Sequence, residues 1–201
     1  MKKILILGGS GFIGTNFINY ISKKKYKILN IDKISNISTP EKFKKNYDKK
    51  KYKLIKYDLN DSKKIFNIIK KFQPNYIVNF AAESHVDRSI NDPIYFIKNN
   101  INSATNLFYA YLKYFKKKRI KLFHISTDEV YGSILKGEFK ENDPYDPSSP
   151  YSASKGSADL IATSFNKTYG TKIKNLNLTN NYGPYQFPEK LIPLVIANCF
   201  D

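Results

Sequence analysis

KILILGGSGFIGTNFINYIS, residues 3–22, decides the fold. The apolar run from Ile4 to Leu7 breaks off into glycines, and an amphipathic stretch follows. A short apolar run reads as a buried strand and the stretch after it as a helix, which predicts a strand over 3–7 and a helix over 11–22. Gly8, Gly11 and Gly14 stand at the junction. Glycine there lets the backbone turn tightly and come close to a pyrophosphate, whose charge the helix N-terminus then stabilises. A glycine triplet alone is weak evidence, but between a strand and a helix it stands in the required context. The spacing is GxxGxxG rather than GxGxxG.

The same rhythm continues outward. Strands are predicted over 27–31, 53–57, 76–80, 121–126 and 173–178, and helices over 62–72, 94–115 and 151–169. Six strands alternating with helices imply an α/β fold with a parallel, doubly wound sheet of the Rossmann kind. Its crossovers should be right-handed, with the ligand at the carboxyl ends of the strands. Two segments interrupt the pattern. Residues 35–51 form a polar, lysine-rich connection, read as a loop with a short helix. Residues 137–150, GEFKENDPYDPSSP, carry three prolines and read as a long loop, a kind of segment that is often functional. The sequence contains no internal repeat. Its last residues, VIANCFD, stand inside an apolar helical pattern without a stop signal.

Composition narrows the partners. Hydrophobic residues make up 41%, with 16 Tyr and 14 Phe, so the chain is globular rather than disordered. At 201 residues it holds one domain with a proper core and the beginning of a second. No apolar run approaches the roughly 18 residues that span a bilayer. Lys2 and Lys3 before the first apolar run mimic a signal peptide, but that run is too short and no small-residue cleavage site follows. A lone cysteine, Cys199, excludes an internal disulfide and fits a reducing cytoplasm. His85 and His124 lie far apart, and no cluster of metal ligands occurs. The net charge of +17 comes from 34 basic against 17 acidic residues and raises the question of nucleic acid. The lysines are scattered, as in Lys23-Lys24-Lys25, Lys49-Lys50-Lys51 and Lys116-Lys117-Lys118. Only Arg88 and Arg119 offer the guanidinium used for bidentate readout. A solvated basic surface, with no nucleic-acid partner, is the expectation, and it would still attract an anionic nucleotide.

Chemistry concentrates at strand ends. Asp32 closes the second strand, 18 residues after Gly14. A carboxylate there can accept both hydroxyls of a ribose and repels a 2′-phosphate, which favours NAD over NADP. Lys33 beside it pulls the other way, and a plain loop aspartate is the alternative. Asp58 can serve the adenine end or cap the helix near Ser62; the sequence leaves both open. Ala81, Ala82 and Ser84 end the fourth strand, where small residues let a cofactor lie against the backbone or let the chain pack tightly. Tyr151 and Lys155, at i and i+4, share one helix face. An ammonium beside a phenol lowers its pKa and makes it a general base for an alcohol. Ser126 and Thr127 end the fifth strand, where a hydroxyl can orient that alcohol. Asp128 and Glu129 follow, as an acid/base pair with separated pKa values or as two solvated loop acids.

Taken together, GGSGFIG, AAESHVDRSI, STDEVYG, YSASK and NNYGPYQFPEKLIP resemble the dTDP-glucose 4,6-dehydratases, a family among the extended short-chain dehydrogenase/reductases whose close cousins act on other nucleotide-glucoses. The likeness runs from Met1 to about Pro193. STDEVYG discriminates best, because related epimerases and decarboxylases lack the acid pair after the threonine. The resemblance implies a redox-neutral reaction with bound NAD. Tyr151, helped by Lys155 and Thr127, deprotonates the carbon-4 hydroxyl of glucose while hydride leaves for NAD. Glu129 then takes the carbon-5 proton, Asp128 protonates the departing carbon-6 hydroxyl, and hydride returns to carbon 6.

The resemblance also implies cofactor contacts from Gly8, Gly11, Phe12, Ile13 and Gly14, and from Asp32, Asp58 and Leu59. Ala81, Ala82 and Ser84 complete that set with Tyr151 and Lys155. Substrate contacts fall to Ser84, Thr127, Asn180, Glu189 and Lys190, while His85 and Arg88 brace a loop. Relatives pair as homodimers. Two stretches depart from the family. KISNIST follows the Asp32 position where a longer TYAGN-like segment is usual, and the TNxxGT pattern after Pro93 keeps Asn100 but loses its threonine and glycine. By the same comparison, 1–190 is the NAD-binding domain and 191–201 the start of a substrate domain that the sequence largely lacks. That leaves a related epimerase, or a truncated, non-catalytic cofactor-binding remnant, as alternatives.

Overall fold

A computed structural model describes residues 1–35, 38, 48, 50–115 and 120–200. Six strands, β1 (Lys2–Leu7), β2 (Tyr26–Asp32), β3 (Tyr52–Lys56), β4 (Tyr76–Asn79), β5 (Lys121–Thr127) and β6 (Ile173–Leu178), form one sheet. Its order is β3-β2-β1-β4-β5-β6, and every neighbouring pair is parallel. The helices are α1 (Phe12–Ser22), α2 (Ser62–Phe72), α3 (Val86–Asn91), α4 (Pro93–Phe115), α5 (Pro150–Tyr169) and α6 (Leu191–Asn198).

The two-residue period of β1 explains the layering. Ile4 and Ile6 face one side, where they meet Ile28, Val78 and the α1 residues Ile18 and Ile21. Leu5 and Leu7 face the other, packing with Ile31, Ile77 and Leu122 against Ile65 and Ile69 of α2, Phe108 and Tyr111 of α4, and Ala158 and Ala162 of α5. Phe108 is fully buried in that second core, and its truncation to Ala should cost about 3–5 kcal/mol.

Local sequence sets the helix ends. Pro150 occupies the first turn of α5, Ser149 and Ser152 form a capping box, and Gly170 ends the helix at φ 67°. The cap of α2 is Asp61, whose side chain accepts from the Lys63 N–H. This corrects the capping alternative for Asp58, whose carboxylate instead accepts from the backbone and side-chain N–H groups of Asn60, at 2.9 Å each.

Other expectations shift in ways that bear on the site. β2 runs through Asp32 and β5 through Thr127, each one residue past its predicted span, and both residues close their strands as expected. α3 and a 3-10 turn at Asp128–Tyr131 were not foreseen; each is too short for a periodic signal, and side-chain caps from His85 and Thr127 set them. The apolar pattern at the last residues does end: α6 stops at Asn198, and none of its residues is buried. The connection over 35–51 falls mostly outside the described residues, as do Lys116 to Arg119.

Candidate active site

A cleft of roughly 370 Å³ runs along the carboxyl ends of the strands. At its first end the chain leaves β1 through Gly8, at φ 71°. A Cβ on Gly8 would lie 2.5 Å from the Ala81 nitrogen, and one on Gly14 would lie 2.5 Å from the Gly8 oxygen. Both glycines are therefore demanded by the chain's own packing. Gly11 differs, since a Cβ there would meet only the Gly8 oxygen, at an ordinary 3.5 Å. Gly11 caps α1 with no side chain and lines the cleft with Phe12, Ile13 and Gly14. The open backbone there fits a close-approaching group such as a pyrophosphate, at the positive end of α1.

Two side chains from β2 hold this turn. Buried Asn30 accepts from the Gly9 N–H at 3.0 Å and donates to Ser10 Oγ at 3.2 Å. Asp32 accepts from the Ser10 N–H at 2.9 Å and from the Ile34 N–H at 2.8 Å. Its carboxylate keeps further lone pairs for a ligand and lines the cleft beside Asp58 and Leu59. Lys33 is committed elsewhere: it pairs with Glu83 and donates to Tyr95 Oη at 2.9 Å. This removes the ambiguity that Lys33 gave to Asp32. Neither Asn30 nor Glu83 was singled out from sequence, and only their partners reveal them.

Ala81, Ala82 and Ser84 form the middle of the cleft wall. Asn100 of α4 fixes this segment, accepting from the Glu83 N–H at 2.8 Å while donating to the Glu83 oxygen at 3.0 Å and to Ser154 Oγ at 2.9 Å. The same amide therefore ties the segment after β4 to α5.

At the second end Thr127, Glu129, Tyr151 and Lys155 line the cleft together. Among the described residues, Asp128 is the one catalytic candidate that stands back from the wall; its carboxylate accepts from the Thr127 hydroxyl at 3.3 Å. Burial pushes the Glu129 carboxyl up, the Asp128 charge adds to this, and Lys190 opposes it. Burial also pushes the buried Lys155 ammonium down to about 8, against the opposing charge of Asp159.

The expectation that Lys155 lowers the Tyr151 pKa is overturned for the chain's own groups. Burial first, then the charges of Glu129, Asp128 and Asp159, push the phenol well above its ordinary value, and only the Thr127 hydroxyl works the other way. Lys155 Nζ donates instead to the Ile125 carbonyl at 2.7 Å.

Asn180, Glu189 and Lys190 close the cleft from the segment after β6. Glu189 is engaged from the α3 region by His85 and Arg88, lying 2.9 Å from His85 Nε2 and 3.2 Å from Arg88 Nη2. His85 Nδ1 accepts from the Arg88 N–H at 3.3 Å, so Nε2 carries the proton that meets Glu189.

A sheet in this order, a glycine turn after β1, an acid closing β2 and a Tyr–Lys pair on one helix define a Rossmann protein of the short-chain dehydrogenase kind. Comparison with known proteins agrees and is more specific. Residues 5–200 match the family model for GDP-mannose 4,6 dehydratase, and the chain belongs to that family. It is 41% identical to a probable dTDP-glucose 4,6-dehydratase of Sinorhizobium fredii over 99% of this chain and 59% of that protein. The solved dTDP-glucose 4,6-dehydratase of Bacillus anthracis, in complex with NAD, superposes with a TM-score of 0.89 at 40% identity, over 100% of this chain and 61% of that one. A UDP-N-acetylglucosamine 4-epimerase from Methanobrevibacter ruminantium superposes with a TM-score of 0.87 at 29% identity, over 99% and 63%. The chain thus spans about three fifths of the length of the relatives it matches.

Proposed function

We propose that this chain is the NAD-binding and catalytic part of a nucleotide-sugar 4,6-dehydratase acting on dTDP-glucose. The observation that carries the reading is the company Glu129 keeps. An acid with a raised pKa shares one cleft wall with Tyr151, Lys155 and Thr127, with Asp128 beside it. An epimerase needs the Tyr–Lys pair but has no use for an acid pair beside it. Relatives 41% and 42% identical to this chain carry the name dTDP-glucose 4,6-dehydratase.

NAD fits the residues present: a backbone cradle open at Gly11, an acid at Asp32 for ribose hydroxyls, and small residues at 81, 82 and 84. When bound, it supplies the hydride acceptor and donor of the reaction. The chain's own groups do the proton work. Tyr151 takes the proton of the carbon-4 hydroxyl, with Thr127 orienting it and Lys155 beside it. A neighbouring positive charge is what the raised phenol needs to act as a base. Glu129 takes the proton of carbon 5, and Asp128, through a small movement, protonates the leaving hydroxyl of carbon 6. Ser84, Asn180, Glu189 and Lys190 hold sugar and diphosphate, and Glu189 must loosen from His85 or Arg88 to do so.

We place the protein in the cytoplasm, which suits its exposed thiol at Cys199, and as a homodimer, for which exposed Tyr109 on α4 and Leu160 on α5 supply apolar surface. No nucleic-acid or membrane partner is part of this reading. Residues 191–201 belong with a substrate unit rather than with the 1–190 domain, a reading supported by α6, none of whose residues is buried.

Product mass tests the proposal. Incubation with NAD and dTDP-glucose should give a product lighter by one water, and Glu129→Gln should keep oxidation at carbon 4 but lose water release by about 100-fold or more. A product of unchanged mass identifies an epimerase. NAD binding without binding or conversion of the sugar nucleotide identifies a cofactor-binding unit.

A further inference from the structure

Beneath the Tyr151–Lys155 pair lies a buried charge that the reaction above does not use. Asp159 sits one turn beyond Lys155 on α5 and is 1% exposed. Its Oδ2 accepts from Ser126 Oγ at 2.5 Å, Tyr145 Oη at 3.4 Å and Asn177 Nδ2 at 3.4 Å. Each donor belongs to a different part of the chain: the end of β5, the proline-rich loop, and β6. Asn177 Nδ2 also donates to the Thr127 carbonyl at 3.2 Å, so one amide touches both Asp159 and the backbone of Thr127. The carbonyl that receives Lys155 Nζ, Ile125, directly precedes Ser126. A buried carboxylate is costly unless paired and hydrogen-bonded.

The other oxygen, Oδ1, faces His124. Asn79 Oδ1 accepts from the Ala81 N–H at 3.2 Å, so the amide nitrogen of Asn79 is the atom 3.0 Å from His124 Nδ1, and it donates. Nδ1 is then an acceptor and the ring proton sits on Nε2. Nε2 lies 3.7 Å from Asp159 Oδ1, too far for a hydrogen bond, and both atoms lack a partner. Burial holds the ring well below its ordinary pKa, so this contact is a neutral imidazole facing a carboxylate and not an ion pair. The cation left to balance Asp159 is Lys155.

We propose that Asp159 is a positioning residue of the active site: it is the counter-ion that keeps Lys155 an ammonium, and through Ser126 and Asn177 it holds Thr127 in line with Tyr151. Its kinetic consequence rests on the dehydratase reading, whereas its effect on the Lys155 proton does not. The titratable groups around Asp159 are His124 on β5, Tyr131 on the 3-10 turn, Tyr145 on the loop, and Tyr151 and Lys155 on α5. β6 contributes only the neutral Asn175 and Asn177. Of these groups, Lys155 alone is a cation whose charge the carboxylate supports.

The test uses the whole 201-residue chain. Lysine Nζ NMR follows the Lys155 ammonium through a pH titration, with its signal assigned by loss in Lys155→Met. Asp159→Asn keeps the shape and removes the charge, and it should lower the Lys155 proton affinity by about tenfold or more, one pKa unit. With NAD and dTDP-glucose, kcat for the hydride step should then fall far more at pH 8 than at pH 6.5, because the ammonium is lost at lower pH, while KM stays within about twofold. Asp159→Ser removes the same charge with a smaller, still polar side chain and should move the same titration in the same direction. If Asp159→Asn does not fold, this variant decides. An unchanged Lys155 titration in the folded variants overturns the proposal. Should the unaltered chain never reduce NAD, the dehydratase reading falls, and the titration still decides the role of Asp159.

Discussion

At the β1–α1 end of the cleft, charge is met by backbone: an open turn at Gly11, the N-terminus of α1, and side chains such as Asn30 that only hold the turn in shape. At the β5–α5 end, charge is met by side chains set beside one another, half-buried Glu129 and buried Tyr151, Lys155 and Asp159, all with displaced pKa values. The first arrangement rests on backbone packed too closely at Gly8 and Gly14 to admit a side chain. The second keeps its shape under small substitutions and depends on how its protons are shared. On the proposed reading, one end holds the cofactor and the other moves protons.

That contrast can be broken by substitution. The largest effect should come from Tyr151→Phe, which removes one oxygen and leaves the ring: the hydride step should fall about 100- to 10,000-fold, read as reduced nicotinamide, with NAD affinity nearly unchanged. Next, Gly14→Val brings a side chain against the Gly8 oxygen, where a Cβ would already lie at 2.5 Å. It should cost about 1–3 kcal/mol of stability and abolish measurable NAD binding in a fluorescence titration. Gly11→Ala sharpens the comparison, because the chain has room for the methyl group. Thermal stability should stay within ~0.5 kcal/mol of the parent while NAD affinity falls about tenfold, one close contact's worth.

The smallest effect concerns Glu129. Its folded pKa is raised above the ordinary 4.5, so its stabilising contribution is full below that value and is lost as pH rises through the folded pKa. Glu129→Gln should therefore melt higher than the parent at pH 8 but not at pH 4, with the group's half-exposure keeping the difference small.

The sheet was legible because β1 carries a short apolar run, Ile4 to Leu7, ahead of an amphipathic stretch, and the strand–glycine–helix order of residues 3–22 needed no tertiary information. Tyr151 and Lys155 were legible through helical spacing, and Glu129 through its place after a strand. What escaped was short or buried. α3 and the 3-10 turn span too few residues for periodicity. Asp159 stands at i+4 from Lys155, a spacing that could have drawn attention, but its partners Ser126, Tyr145 and Asn177 come from separate elements. Lys33 looked like a hazard for the NAD reading because sequence does not reveal the carboxylate of Glu83 that occupies it. The direction of the Tyr151 shift was missed for a related reason. The i, i+4 pattern shows the lysine, while burial and the charges of Glu129, Asp128 and Asp159 act through space.

The most direct test of the division of labour is a rapid-mixing experiment in which NAD-loaded chain meets dTDP-glucose and absorbance at the reduced-nicotinamide band is followed for the parent and for Tyr151→Phe. The account predicts a transient rise in the parent and a flat trace in the variant, both binding NAD equally well before mixing. Matching traces, or a variant that no longer holds NAD, would contradict it.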